Sequence, residues 1–350
     1  MKQKIILLIF YFILSACEKE IEINLPQTNS KLVVYTQLKS GIYSNAFNGQ
    51  NIIVSNSISP FSSLNNYILN EDSVPVINYA NVNISETNLM DSTSINHYTF
   101  SYNDDCYCYV NQDFITKHNT TYKLTIDAEN FNSINSIETV PDKPDYSISD
   151  FELLSDISEN FESHLLKYDL CNLNIIINDN PNEKNYYQLN FKVGREFTNP
   201  LNFSLTEGQN LNEEKCLFKS EDVVFLNETN QNMNSLNNNT FEGNEAFFND
   251  DSFNGQQKSI YIQVDKPQSQ AEWQGAWTYF YIEIISLNES LYQFITSNEY
   301  MNNENNSQFN SEPSFNNSNI NNGHGVFGVK SVSQKFYLPT VFPTNGWIEY

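Results

Sequence analysis

Basic residues are scarce in this sequence. Its 350 residues include 18 Lys and Arg against 42 Asp and Glu, which gives a formal net charge of −24 and a pI near 4.3. Because contacts with phosphates need clustered Lys and Arg side chains, this balance argues against a nucleic-acid partner. The excess of acidic residues keeps the folded chain in solution and repels anionic surfaces.

Long hydrophobic runs are also missing. No segment contains 18 consecutive apolar residues, and a transmembrane helix needs about 20. The longest apolar stretch, Ile5–Leu14, follows Lys2 and Lys4 and precedes the sequence Leu-Ser-Ala-Cys, which ends at Cys17. A charged start, a short apolar stretch and small residues before a cut are typical of a secretory signal peptide.

The Leu-Ser-Ala-Cys sequence resembles a lipobox. That resemblance implies a signal peptide at residues 1–16, cleavage before Cys17, and acylation of Cys17 on its thiol and its new amine. The alternative is an ordinary signal peptide with a cysteine nearby by chance. Each buried CH₂ group contributes about 0.8 kcal/mol to membrane binding, so several acyl chains would anchor the protein stably. Removal of residues 1–16, which contain two lysines and no acidic residue, changes the net charge from −24 to −26.

The predicted tether, residues 17–30, begins with acidic residues. Glu18, Glu20 and Glu22 follow Cys17 closely. This arrangement resembles the acidic export signal of Bacteroidetes lipoproteins that are displayed on the outer leaflet. We therefore expect an outer-membrane protein, lipid-anchored and facing the cell exterior. The alternative is a solvated tether on a protein that faces the periplasm.

Histidine and catalytic motifs are few. The four histidines, at positions 97, 118, 164 and 324, show neither an HExxH motif nor metal-ligand spacing. There is no Gly-x-Ser-x-Gly motif for a nucleophilic serine. Paired acidic residues are common on any acidic surface and do not identify a glycosidase. The sequence therefore predicts no catalytic residue and no cofactor.

Besides Cys17, the chain has only the cysteines Cys106, Cys108, Cys171 and Cys216. An exported protein can form disulfides. On a strand, Cys106 and Cys108 would share one face, and such positions usually cannot bond each other without distortion. Three interpretations of these cysteines remain: a Cys171–Cys216 disulfide, a set of free buried thiols, or a metal site.

Aromatic residues are abundant, with 21 Tyr and 25 Phe, and they favour strands. Residues 31–140 contain short alternating segments separated by polar turns, and this pattern predicts an antiparallel sandwich of immunoglobulin-like type. The predicted strands of this domain are Lys31–Leu38, Asn51–Ile58, Ala80–Ser85, His97–Tyr102, Cys106–Val110, Thr121–Ile126 and Ile134–Val140.

Two prolines, Pro141 and Pro144, interrupt the strand pattern and predict a linker at residues 141–146. Residues 147–350 then form a second β-rich domain with one short helix from about Leu287 to Tyr300, where Ser286 and Glu289 resemble a capping box. Its clearest predicted strands are Leu173–Ile177, Tyr186–Val193, Ser259–Val264 and Thr278–Ile285. The expected fold class is therefore mainly β.

Two glycine-containing segments resemble motifs of binding sites. Residues 323–328 fit Gly-x-Gly-x-x-Gly, but no strand precedes them and no helix follows, so a tight turn explains them better than a dinucleotide site. Asp250, Ser252 and Asn254 resemble the first half of a calcium loop, and we keep them as a weak calcium candidate. The loop's twelfth position is Tyr261 instead of Glu, so a β-turn built on Asn254 and Gly255 is the favoured reading.

Two tryptophans precede the strongest strand pattern. Trp273 and Trp277 would stack on a sugar ring if they were exposed, which makes them candidate ligand contacts. Packing in the second core is the favoured alternative.

Several motifs occur in an order that resembles one family. They are CEKEIEINLP followed by KLVVYTQL, then NTTYKLTI with ETVPDKP, the turn with Asp179, Pro181, Asn185, Tyr186 and Tyr187, the segment 247–256, and SNINNGHGVFG at 318–328. Together they resemble the Bacteroidetes lipoprotein family named domain of unknown function 4249. The resemblance covers roughly residues 17–338 and implies an outer-membrane lipoprotein, often paired with a TonB-dependent transporter.

We therefore expect a non-enzymatic binding or accessory subunit of an outer-membrane transport system. Its expected partners are membrane lipid, through Cys17, and a TonB-dependent receptor. A surface hydrolase would instead show a pocket with acids of shifted pKa. A structural adhesin would show extended domains with a featureless surface.

Overall fold

A computed structural model describes residues 30–40, 50–57, 76–87, 94–155, 168–196, 212–226, 240–265, 277–304, 317–337 and 347–349. The described residues are mainly β, as the sequence predicts. The predicted signal peptide and almost all of the predicted tether lie outside these ranges.

The first seven strands form an antiparallel sandwich. Strand β4 pairs with β5 in one sheet and with β3 in the other, so the sheets run β1-β2-β5-β4 and β4-β3-β6-β7. This is an immunoglobulin-like strand order. The strands are β1 Leu32–Ser40, β2 Ile52–Asn56, β3 Asn81–Thr87, β4 Ser94–Asn103, β5 Cys108–Val110, β6 Thr121–Asp127 and β7 Ile134–Thr139.

The remaining strands build a second two-layer body. One sheet runs β13-β12-β15-β9-β8, and the other contains β10, β16 and β17 with β11, β14 and β18 beside them. The strands are β8 Asp145–Ser155, β9 Tyr168–Asn178, β10 Tyr186–Glu196, β11 Asn212–Lys215, β12 Phe218–Ser220, β13 Phe241–Gly243, β14 Glu245–Asn249, β15 Gln257–Asp265, β16 Trp277–Leu287, β17 His324–Tyr337 and β18 Trp347–Glu349.

Residue alternation decides which face of each strand meets the core. On β9, Leu173, Ile175 and Ile177 are buried, whereas Asn172 and Asn174 point to the opposite face. The second core lies between the sheets and also receives Leu189 and Phe191 from β10, Ile282 and Ile284 from β16, and Ile260 and Ile262 from β15.

The two bodies share one continuous sheet, because β17 pairs in parallel with β1. Residues Ile320, Phe327 and Val329 also pack in the core of the first sandwich. The linker predicted at 141–146 is shorter in the structure, since β8 already begins at Asp145. Local patterns could not show the β1–β17 pair, because its strands lie at opposite ends of the chain.

A helix follows β16 directly. Helix α1 spans Glu289–Glu304, close to the predicted 287–300. The predicted capping box is wrong, because Ser286 lies within β16 and Asn288 precedes the helix. The Asn288 side chain accepts a hydrogen bond from the backbone of Val329, so it ties the helix start to β17. No helix in the described ranges is long and apolar enough to cross a membrane.

Candidate binding site on the sheet face

One face of the shared sheet carries a group of charged side chains. Five neighbouring strands, β14, β10, β16, β17 and β1, bring together residues that are far apart in sequence. We call this group the lysine cluster, and its members are Lys39, Lys192, Lys330, Glu245 and Glu283.

Strand register places the cluster on the face opposite the second core. Ile282 and Ile284 of β16 point into that core, so Glu283 between them points the other way. Glu283 pairs with Asn190 on one side and with Gln334 on the other. Helix α1 covers the neighbouring part of the same face through Leu291, which contacts a separate apolar cluster. The lysine cluster therefore lies beside the helix on an otherwise well-packed sheet.

Glu283 is the buried anchor of the cluster. It is only 3% exposed, and its carboxylate accepts hydrogen bonds from Asn190 at 3.2 Å and from Gln334. Lys192 completes its partners with an Nζ–Oε2 distance of 2.8 Å. Burial alone would raise the pKa of Glu283, but the charges of Lys192 and Lys39 and the hydrogen bonds from Lys192 and Gln334 hold it below the usual value. Glu283 is therefore ionised, and its charge is offset by Lys192.

Lys330 has a different environment. Its Nζ donates a hydrogen bond of 2.5 Å to Oε1 of Gln37, and the Gln37 amide in turn donates to the hydroxyl of Tyr35. Burial lowers the pKa of Lys330 to about 8, with the positive charges of Lys39 and Lys192 acting in the same direction. Glu283 and Glu245 act in the opposite direction without restoring the ordinary value.

The sequence reasoning missed this cluster. The available signal was a single charged residue at an alternate position inside an apolar strand pattern, as with Glu283 in TYFYIEII and Lys192 in YYQLNFKV. Such a residue faces away from the core, and only the sheet topology shows that several of them meet.

The calcium candidates lie in a turn before β15. The Asp250 side chain is buried, and its Oδ2 accepts a hydrogen bond of 2.8 Å from the backbone of Asn185, whereas Ser252 and Asn254 are exposed. The turn on Asn254 and Gly255 is closed by a hydrogen bond of 2.8 Å from the backbone N–H of Gln256 to the carbonyl of Phe253, and Gly255 has a φ of +69°. This geometry is that of the β-turn alternative. Within the described ranges, no group of three or more His, Cys, Asp or Glu side chains is arranged to hold a metal ion.

The cysteines differ from the sequence expectation. Cys106 and Cys108 form a disulfide, whereas Cys171 and Cys216 are buried and are not disulfide-bonded. Strand β5 begins only at Cys108, and Tyr107 has a φ of +51°, so a turn brings the two Cα atoms within 5.2 Å. The assumption that both cysteines lie on a strand was wrong. Burial, together with the nearby Cys216, raises the pKa of the Cys171 thiol, which disfavours its reactive thiolate.

A serine–histidine group occurs where the two bodies meet. Nδ1 of His118 lies 3.0 Å from Oγ of Ser40 and 2.9 Å from Oγ of Ser331. Both serines are almost completely buried, and Ser331 also donates to the carbonyl of Pro141. A nucleophilic serine must reach its substrate, so this arrangement connects β1, β17 and the linker instead of forming a catalytic pair.

The predicted lipid site, the two tryptophans and the Gly-x-Gly motif remain to be placed in the structure. Cys17 and Trp273 lie outside the described residues, and Trp277 begins β16 without a described side-chain environment. Gly325, in the Gly-x-Gly motif, has a φ of +103°, as expected of a glycine used for its backbone freedom.

The comparisons with known proteins give a family but no activity. The family profile described as domain of unknown function (DUF4249) matches residues 18–336. The chain belongs to this family. No curated protein matches the chain.

Three of the motifs that suggested the DUF4249 family have clear structural roles. The turn after β9 and the turn before β15 interlock, because Asp179 accepts hydrogen bonds from Gly255 at 2.8 Å and from the Tyr187 hydroxyl at 2.6 Å. The third motif forms the start of β17 and its contact with β1. These motifs therefore hold the DUF4249 scaffold together.

One solved structure shows a limited similarity to this chain. Trypsin-activated alpha-2-macroglobulin from Escherichia coli is 8% identical, over 75% of this chain and 15% of that chain, with a TM-score of 0.19. A score this low carries no argument about the DUF4249 fold or its function.

Proposed function

We propose that this protein is a lipoprotein of the outer membrane, anchored through Cys17 and facing the cell exterior. The signal-like sequence that ends at Cys17 and the acidic residues after it support this proposal. The matched family region begins at residue 18, directly after the proposed lipid attachment site. On this proposal the β-rich body is held beside the bilayer by a short acidic tether.

The body acts in binding and has no catalytic role in this proposal. The lysine cluster is the observation that carries it, because hydrogen bonds from Asn190 and Gln334 hold its buried carboxylate in place on a rigid sheet. Sites built on strands position polar groups more accurately than sites on loops do. The two serines beside His118 are buried, which argues against a role for either as a nucleophile.

The proposed partner is a TonB-dependent outer-membrane receptor, for which this protein serves as an accessory subunit. The test is affinity purification of the tagged full-length protein from membranes in mild detergent. We expect an outer-membrane β-barrel protein to be recovered with it. The variant Cys171→Ala, which changes a cysteine outside the lipid site, should recover the same partner. Recovery of the tagged protein without any β-barrel partner would count against the accessory role.

A further inference from the structure

Lys39 and Lys330 face each other across the parallel β1–β17 pair. They are register partners, so their side chains project from the same face of the sheet. Like charges directly opposite each other destabilise a sheet. A sheet selected for stability alone would have an acidic or apolar residue at one of these positions. Natural proteins accept such costs where function requires them.

The acidic members of the cluster do not neutralise Lys330. Both oxygens of Glu283 are engaged, by Lys192, Asn190 and Gln334. Glu245 accepts a hydrogen bond of 2.9 Å from Gln188. Lys330 itself donates to the neutral amide of Gln37, and within the described part of the chain it has no carboxylate partner.

The Lys330 ammonium has three hydrogens for hydrogen bonding, and Gln37 takes one of them. Lys330 keeps part of its surface exposed, although burial dominates the environment of its amine. An anion placed beside Lys330 and Lys39 would relieve the repulsion between the two ammonium groups. Lysines commonly bind such groups as point charges.

We propose that the lysine cluster binds an oxyanion group of a ligand, with Lys330 and Lys39 as its charged donors. This inference rests on the proposed binding role and names the chemistry of the ligand. The group is phosphoryl, sulfuryl or carboxylate, since all three present negatively charged oxygens. It does not depend on the lipid anchor or on the receptor.

The experiment uses the full-length protein in mild detergent, with sodium sulfate and sodium acetate as probes. Thermal unfolding is followed as each probe is titrated at constant ionic strength against sodium chloride, because a ligand of the folded state raises the midpoint saturably. We expect saturable stabilisation at pH 7. Because the pKa of Lys330 is about 8, affinity should fall about tenfold at pH 9, where the amine is mostly neutral. Preference for sulfate indicates a phosphoryl or sulfuryl group, and preference for acetate a carboxylate.

Four variants separate binding from folding. Lys330→Met should abolish saturable stabilisation while unfolding at or above the wild-type temperature, because it removes a repelled charge. Lys330→Arg should bind without the loss at pH 9, since arginine stays charged. Lys39→Met should weaken binding at pH 7. Lys123→Met, on β6 of the first sandwich, is the matched control and should behave like the wild type.

Absence of saturable binding of both probes at pH 7 would overturn the inference. Undiminished binding by Lys330→Met would do the same. A Lys330→Met protein that unfolds at a much lower temperature would assign the lysine a structural role instead. None of these results depends on receptor recovery, so failure of the ligand assignment and failure of the accessory role can be distinguished.

Discussion

At the scale of single residues, Gly325 sets the distance between β1 and β17. A Cβ atom at this position would lie 1.9 Å from the carbonyl oxygen of Val34, and the φ of +103° is one that other residues rarely adopt. The parallel pair that joins the two bodies therefore depends on the absence of a side chain here.

The variant Gly325→Ala tests this dependence. We expect the free energy of unfolding to fall by about 2–4 kcal/mol, because the methyl group forces β17 away from β1 and strains the backbone. Urea unfolding followed by circular dichroism measures the change. The control is His324→Ala at the exposed neighbouring position. Equal stability of Gly325→Ala and the wild type would contradict the register of the pair.

His118 gives the interface between the bodies a dependence on pH. Burial lowers its pKa, and nearby Lys143 acts in the same direction while Asp142 opposes it. The folded state therefore binds a proton less readily than the unfolded state does. The contribution of His118 is complete above its unfolded pKa of about 6.5 and is lost as the pH falls toward the lower folded value.

The variant His118→Asn keeps a polar group near Ser40 and Ser331 but cannot take up a proton in this range. We expect its free energy of unfolding to depend less steeply on pH between 7 and 5.5 than that of the wild type, as measured by urea unfolding at several pH values. Ser259→Ala, at an exposed position on β15 that does not contact His118, is the control and should keep the pH slope of the wild type. An identical slope for His118→Asn and the wild type would refute this role.

At the scale of elements, the sequence anticipated what local alternation controls. All seven predicted strands of the first sandwich occur, and Asn-rich loops use asparagine where a glycine is common, as at Asn119, Asn130 and Asn322, which have positive φ. Local patterns could not supply the pairing of β1 with β17, nor the meeting of Lys39, Lys192 and Lys330. These depend on strands that are adjacent in space and distant in the chain.

The turn between β4 and β5 contains the Cys106–Cys108 disulfide, which the predicted strand at Cys106–Val110 had argued against. On mass spectrometry of a non-reduced digest, we expect the peptide with Cys106 and Cys108 to be lighter by two hydrogens than after reduction. Cys171 and Cys216 should react with an alkylating reagent only after unfolding, since both are buried. A crosslink between Cys171 and Cys216 would contradict this assignment. The short loop limits the stabilisation by the disulfide to about 1.5 kcal/mol.

At the scale of the whole molecule, an acidic protein presents a small group of lysines on a sheet shared by two sandwiches. The net charge of −24 repels anions in general. Lys39 and Lys330 provide a local exception on one face of the sheet. The proposed anchor at Cys17 would hold the whole body near the membrane.

The most direct measurement of the central claim, lipid anchoring of a binding protein, is fractionation of cells that express Cys17→Ala. Envelope fragments are washed with high salt and then at alkaline pH, which removes proteins held only by electrostatic contacts. We predict that the wild type and Cys171→Ala stay with the envelope, whereas Cys17→Ala appears in the soluble fraction. Retention of Cys17→Ala in the washed envelope would contradict the account.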